Sequence, residues 1–147
     1  MSGTAQLVED SFEVVEIPEK KFDLVTRIVC RSENYDLEMT LDVHSELFKV
    51  SVRDKFTLLL ASTLSLDGSA PPSEFILHDK NDTGSLADKF DYVMHGQIFE
   101  IEEKSGGSQV DVTVSFGGLL MSLKGDSRHL KRLELDNKIY LLLRKVF

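Results

Sequence analysis

The side chains that could carry out chemistry are few and widely spaced in this 147-residue chain. No two of its histidines stand at metal-ligand spacing, and the single cysteine, Cys30, excludes a structural zinc site. Cys30 alternates with Thr26 and Ile28, a pattern typical of small core filling in a strand rather than of a nucleophile. The sequence therefore predicts no metal site. The histidines are His44, His78, His95 and His129.

Other catalytic patterns are also missing. A group of carboxylates could be imagined as an acid–base pair, but their spacing follows strand ends and is typical of a solvated charged rim. The pair Gly117-Gly118 lacks the lysine, hydroxyl and following helix of a phosphate-binding loop. No serine lies in a nucleophile elbow. The sequence thus predicts no catalytic residue and no cofactor. The carboxylates are Asp91, Glu100, Glu102 and Glu103.

Composition narrows the class of protein. Seventeen basic against twenty-five acidic residues give a net charge of −8, which opposes strong nonspecific binding of nucleic acid. A lone cysteine indicates a reducing compartment. No apolar run approaches the roughly 18 residues of a membrane span, and the polar first ten residues lack a signal core. We expect a soluble intracellular protein.

The elements that must position any site are almost all strands. Apolar and polar residues alternate along 24–31, 37–43 and 110–116, with the period of a half-buried strand. The continuous apolar run Phe56–Leu60 predicts a strand buried on both faces. Only Asp126–Leu133 indicates a helical turn, with Asp126 or Ser127 as its N-cap.

One long segment, Lys89–Glu103, favours a barrel. Its apolar residues change phase around Gly96, so that Phe99 and Ile101 occupy the face opposite to the earlier ones. Such a change predicts a bent strand, which closed barrels require. About eight strands and little helix therefore predict an all-β fold, a closed antiparallel barrel rather than a sandwich. We expect one domain over 1–147, with a mobile loop of turn-forming residues at about 66–86.

Two surfaces could bind a partner, and the first is a basic strip near the start of the chain. It combines cations with an aromatic ring, the pairing that barrel faces use for single-stranded nucleic acid. The alternative is a charged edge that discourages unwanted strand pairing. The strip comprises Lys20, Lys21, Phe22, Arg27 and Arg31.

The second surface is Ser115–Met121, where two glycines join two alternating strands. If Phe116, Leu119 and Met121 face the core, Leu120 must face outward beside bare backbone, which a partner could approach closely. The alternative is a plain Gly-Gly hairpin with one harmless exposed leucine. Spacing alone leaves the two interpretations equal.

Short motifs along the chain occur in a familiar order. They are Lys20-Lys21-Phe22-Asp23, Leu41-Asp42-Val43, Leu60-Ala61-Ser62-Thr63-Leu64, Leu86-Ala87-Asp88, Asp91-Tyr92-Val93-Met94-His95-Gly96 and Ser115-Phe116-Gly117-Gly118-Leu119-Leu120-Met121. From about Phe12 to Leu143 the chain resembles the eighth subunit shared by eukaryotic nuclear RNA polymerases I, II and III. The last two motifs are the most specific.

The resemblance implies an eight-stranded barrel of oligonucleotide/oligosaccharide-binding type, built from two linked halves. It also implies a non-catalytic subunit of the nucleus and nucleolus, docked on the outside of the polymerase largest subunit near its pore. Weak binding of single-stranded DNA by the basic strip follows too, and a stand-alone single-strand-binding barrel is the alternative function. The expected partner-binding residues are Tyr92, Met94, Phe116, Gly117, Gly118, Leu119, Leu120 and Met121.

Overall fold

Eight antiparallel strands form the computed structural model, which describes residues 6–18, 24–64 and 86–146. The strands are β1 (Gln6–Glu16), β2 (Val25–Ser32), β3 (Glu38–His44), β4 (Lys55–Ala61), β5 (Tyr92–Lys104), β6 (Gln109–Phe116), β7 (Leu119–Asp126) and β8 (Lys138–Val146). Helical structure in these ranges amounts to α1 (Ser127–Leu130) and two short 3₁₀ turns, Leu86–Lys89 and Ser105–Gly107.

The strands close into a barrel in the order β1-β2-β3-β7-β6-β5-β8-β4, with β4 pairing back to β1. Every ladder is antiparallel, as the predicted fold class requires. The interior is filled by alternate residues of each strand: along β6, Val110, Val112, Val114 and Phe116 are buried. The all-β closed barrel predicted from the sequence is confirmed.

The strand predicted to be buried on both faces is β4. Phe56, Leu58 and Leu60 point into the barrel core. Leu59 and Ala61 point outward and are buried in a second cluster with Leu142 of β8. A strand covered on both sides is stabilised by apolar residues at every position, because each of them is removed from water. This explains the continuous apolar run of β4.

The bend in β5 differs from its prediction. The irregular register lies between Ile98 and Glu100, so the bulged residue is Phe99, and this ring is 50% exposed rather than in the core. Gly96 remains in regular pairing with β8. The predicted change of phase is therefore real, but Phe99 absorbs it by pointing outward, as one extra residue in a strand does.

The remaining predictions concern short segments. Of the two predicted N-cap candidates, Asp126 caps α1, and its side chain accepts a hydrogen bond from the Arg128 backbone N–H at 2.8 Å. The loop predicted at about 66–86 lies outside the described residues except for Leu86, where a 3₁₀ turn begins. The helices in the described ranges are all too short to span a membrane. Nor do these ranges bring together three or more side chains able to hold a metal ion.

Candidate functional site

The glycine pair forms the tip of a two-residue hairpin between β6 and β7. Phe116 and Leu119 are its last paired residues, and the backbone has φ of 65° at Gly117 and 109° at Gly118. Tight two-residue hairpins require positive φ at these positions, where side chains with a Cβ are strained. A Cβ on either glycine would meet nothing within 4 Å. The turn conformation therefore accounts for both glycines, and the space around the tip is open.

The side chains beside the tip divide between core and surface as the alternation predicts. Phe116 and Met121 are buried, and Leu119 is half-buried against the core. Leu120 faces outward, half-buried, opposite Ser115. One apolar side chain is thus left on the outer face next to two bare glycines.

Gly96 allows the hairpin to pack closely against β5. A Cβ at this position would lie 2.3 Å from the Ser115 carbonyl oxygen and 2.5 Å from the Phe116 ring. The aromatic ring therefore lies directly over the bare glycine, a cross-strand arrangement that a side chain at Gly96 would prevent. This contact packs the Phe-Gly-Gly motif of the hairpin against the Tyr-Val-Met-His-Gly motif of β5.

On its other side the hairpin separates from β3. Backbone pairing between β3 and β7 covers only Glu38–Leu41 against Met121–Lys124. Beyond that point the Asp42 carboxylate accepts the Leu120 backbone N–H at 3.1 Å. A side chain thus continues the connection where the strand pairing stops.

Tyr92 bridges β5 and β3 at the same end of the barrel, although β6 and β7 lie between them in the sheet order. Its hydroxyl accepts the His44 backbone N–H at 3.0 Å and contacts the Met94 sulfur at 3.2 Å. Burial of the ring raises the pKa of Tyr92. Tyr92 and Met94 are predicted to touch a partner, and in the structure they contact each other while Tyr92 also bonds to β3.

A cleft of about 420 Å³ opens beside the hairpin on the outer face of β5. The His95 ring packs against Tyr140 at a tilt of 35°, with 4.5 Å between centroids. Partial burial lowers the pKa of His95, and the nearby Lys138 ammonium lowers it further. Phe99 was not expected here, and the only sequence signal was the change of phase that the bulge absorbs. The cleft is lined by His95, Gly96, Gln97, Phe99, Ser115, Gly117 and Lys138.

The basic strip is only partly described. Lys20, Lys21 and Phe22 lie outside the described residues. Arg27 forms two hydrogen bonds to Asp42, at 2.7 and 3.1 Å, and Arg31 pairs with Glu38 at 3.2 Å. Both guanidinium groups thus already have carboxylate partners, which weighs against phosphate contacts.

The alternative interpretation of the strip, a charged strand edge, is wrong for Arg31. This residue is paired with Glu13 of β1 on one side and with Glu38 of β3 on the other, so it does not lie on an open edge. The β1–β2 ladder ends at Val29, and Arg27 is paired with β3 alone.

Comparisons with known proteins agree over nearly the whole chain. The family model described as RNA polymerase Rpb8 matches residues 9–145. "DNA-directed RNA polymerases I, II, and III subunit rpabc3" of Dictyostelium discoideum is 48% identical, covering 97% of this chain and 99% of the relative. "DNA-directed RNA polymerases II, IV and V subunit 8B" of Arabidopsis thaliana is 44% identical, covering 99% and 100%.

A third relative and one solved structure complete the comparison. "DNA-directed RNA polymerases I, II, and III subunit RPABC3" of Saccharomyces cerevisiae is 37% identical, with coverage of 99% and 100%. A structure of the molybdate-binding protein ModG aligns with a TM-score of only 0.31 at 9% identity over 92% and 89% of the two chains, too low to support an argument. The family match over residues 9–145 and these identities show that the chain belongs to the RNA polymerase Rpb8 family.

Proposed function

We propose that the chain is a non-catalytic subunit common to nuclear RNA polymerases I, II and III, which docks on the largest subunit and supports assembly. The observation that carries the proposal is family membership over residues 9–145, together with relatives named as subunits of these enzymes. A subunit of all three enzymes would work in the nucleus and the nucleolus.

The proposed docking face comprises Gly117, Gly118, Leu119, Leu120 and the adjoining cleft with Phe99. Leu120 and Phe99 are apolar groups at the surface, and an exposed aromatic ring is a common anchor in protein interfaces. The open space around the glycines lets a partner approach the backbone. These features support docking at the hairpin.

Three of the residues expected to bind the partner are buried, so in this proposal they support the docking face and do not touch the partner. The side chains of Tyr92, Phe116 and Met121 are at most 6% exposed, so they support the docking face from beneath. Phe116 lies over Gly96, and Tyr92 joins β5 to β3. A face held on a packed barrel requires little reorganisation on binding, which favours affinity.

The chemistry of the one cysteine supports a non-catalytic role. Burial raises the pKa of the Cys30 thiol to about 12, so this sulfur is not a thiolate nucleophile at neutral pH. Binding through a surface needs no such nucleophile.

The test measures how much of the polymerase largest subunit is captured from nuclear extract by the tagged chain. We expect Leu120→Asp to reduce capture about ten-fold or more, because a charge would be buried in the docking face. Val15→Asp is the matched control, since Val15 is 49% exposed on β1, which β2 and β3 separate from β7 in the barrel order. Thermal melting of each isolated variant monitors folding.

The outcomes separate two claims. If wild-type chain captures no largest subunit, the proposed function is wrong. If Leu120→Asp is captured as well as Val15→Asp while both are folded, the function stands but the hairpin is not the docking face.

A further inference from the structure

Where backbone pairing between β3 and β7 ends, the buried carboxylate of Asp42 connects the hairpin to β3. Asp42 is only 3% exposed, although it points to the outer face of β3. It accepts two hydrogen bonds from Arg27 of β2 and one from the Leu120 backbone N–H of β7. One side chain thus ties three strands together.

This arrangement follows from the way the β3–β7 ladder ends. The ladder stops at Leu41 and Met121, so the Leu120 N–H is not part of the backbone pairing with β3. An unsatisfied backbone donor is unfavourable, and a carboxylate is a strong acceptor for it. A buried carboxylate in turn requires a cationic partner, which Arg27 supplies from the directly opposite position on β2.

We propose that Asp42 is a positioning residue for docking: it holds the glycine hairpin in its docking pose, and Arg27 holds Asp42. This inference rests on the proposed function, because the pose matters only if the hairpin meets a partner. It also assigns Arg27 to support of the docking face rather than to nucleic-acid binding.

The physical reason is preorganisation. Only four residue pairs connect β3 to β7, and the hairpin extends past them. Without Asp42 the tip would be attached on the β3 side by that short ladder alone and would sample more orientations. A partner would then have to order the hairpin on binding, and affinity would fall without loss of any direct contact.

The same ladder offers a matched control. Arg31 and Glu38 are also directly opposed on β2 and β3 and also form an ion pair. Their side chains are exposed, at 60% and 61%, and no hydrogen bond joins them to the hairpin. Glu38→Ala therefore removes an equivalent charge pair from the same two strands while leaving Leu120 in place.

Hydrogen exchange of the Leu120 backbone amide tests the anchoring step in the isolated chain. We expect exchange at least ten-fold faster in Asp42→Ala, because the acceptor is gone. Asp42→Asn should fall between Asp42→Ala and wild type, since its amide oxygen can still accept the bond. Glu38→Ala should match wild type, and the Leu60 amide of β4 reports global stability in every variant. Unchanged Leu120 exchange in Asp42→Ala overturns the inference.

Capture of the largest subunit tests the docking step. We expect Asp42→Ala to lose about ten-fold in capture, Asp42→Asn to recover part of it, and Glu38→Ala to be captured like wild type. If Leu120 exchange accelerates while capture stays at the wild-type level, the pose does not matter and the inference is wrong. If Asp42→Ala does not fold, Asp42→Asn carries both measurements.

Failure of the proposed function is recognised separately. In that case wild-type chain captures no largest subunit, while Leu120 exchange still differs between Asp42→Ala and Glu38→Ala. The anchoring contact would then stand without a docking role.

Discussion

At the scale of single residues, the candidate site depends on a few positions that each make one specific contact. Gly96 makes room for the Phe116 ring, Asp42 accepts the Leu120 N–H, and Tyr92 accepts the His44 N–H. Each contact depends on a single acceptor oxygen or, at Gly96, on the missing Cβ. Substitutions here should therefore have effects out of proportion to their size.

Gly96→Ala should destabilise the barrel more than Gly125→Ala. The added methyl at Gly96 would meet a backbone oxygen at 2.3 Å, which moves only with the sheet. At Gly125 the nearest atom, also at 2.3 Å, is the tip of the Leu37 side chain, which can rotate. We expect a loss of about 2–3 kcal/mol for Gly96→Ala and clearly less for Gly125→Ala, measured by urea unfolding. Equal losses would contradict the close approach of β5 to the hairpin.

Cys30 should be unreactive in the folded protein. Burial raises its pKa to about 12 from 9.0, so the thiol stays protonated when folded, whereas the unfolded chain ionises near pH 9. Its contribution to stability is therefore complete below pH 9 and declines as pH rises toward 12. A thiol reagent at pH 8 should label the chain only in denaturant, and Cys30→Ala should weaken the alkaline loss of stability. Rapid labelling without denaturant would show that Cys30 is accessible.

At the scale of elements, the hairpin and the long strand β5 together form the candidate site. The bulge between Ile98 and Glu100 turns Phe99 toward the cleft, and the two-residue turn leaves Leu120 outward. The turn satisfies the conformational need for glycine, so docking and a plain hairpin are compatible rather than alternative. A variant that preserves the turn is needed to separate them.

Gly117→Asn is such a variant. Asparagine tolerates the left-handed backbone better than other residues with a Cβ, and Asn-Gly is a favoured hairpin turn, so the fold should persist. Gly117→Val should be less stable, because a β-branched residue is strained at φ 65°. We expect Gly117→Asn to melt near wild type yet to be captured less by the largest subunit, since its side chain fills the open space at the tip. Normal capture would remove Gly117 from the docking face.

At the scale of the whole molecule, a net charge of −8 surrounds a closed barrel whose two described strip arginines are paired with carboxylates. Long-range repulsion from a polyanion acts on the entire protein, whereas the predicted strip is local. The charge balance therefore favours docking to a protein over binding to nucleic acid.

Titration with labelled single-stranded DNA should show at best weak binding, in the range of about 10⁻⁴–10⁻⁶ M typical of nonspecific contacts, lost as salt increases. Charge reversal at Lys20 and Lys21 should weaken it further. The matched change at Lys104, which is paired with Asp111 at 2.9 Å far along the chain, should matter less. Affinity tighter than about micromolar at physiological salt would favour the single-strand-binding alternative.

The predictable parts of this protein are those encoded by local patterns. Alternation along 110–116 and the apolar run of Phe56–Leu60 depend only on which side of a strand faces the core, so the all-β barrel could be read from them. The motifs around Gly96 and Gly117 identified the family. The sequence predicts the bend of β5 at Gly96, three residues before the bulged Phe99. Periodicity detects a change of phase but does not show which residue is the bulged one.

The sequence by itself determined the fold class, the family and the outward position of Leu120, since each depends on neighbours along the chain. Tertiary structure alone decided that Asp42 accepts the Leu120 N–H, that Tyr92 bridges β5 and β3, and that Phe99 is exposed. The first two contacts join residues 78 and 48 positions apart. Such contacts depend on where ladders between distant strands end, and that register is set by packing of the whole barrel rather than by any local pattern.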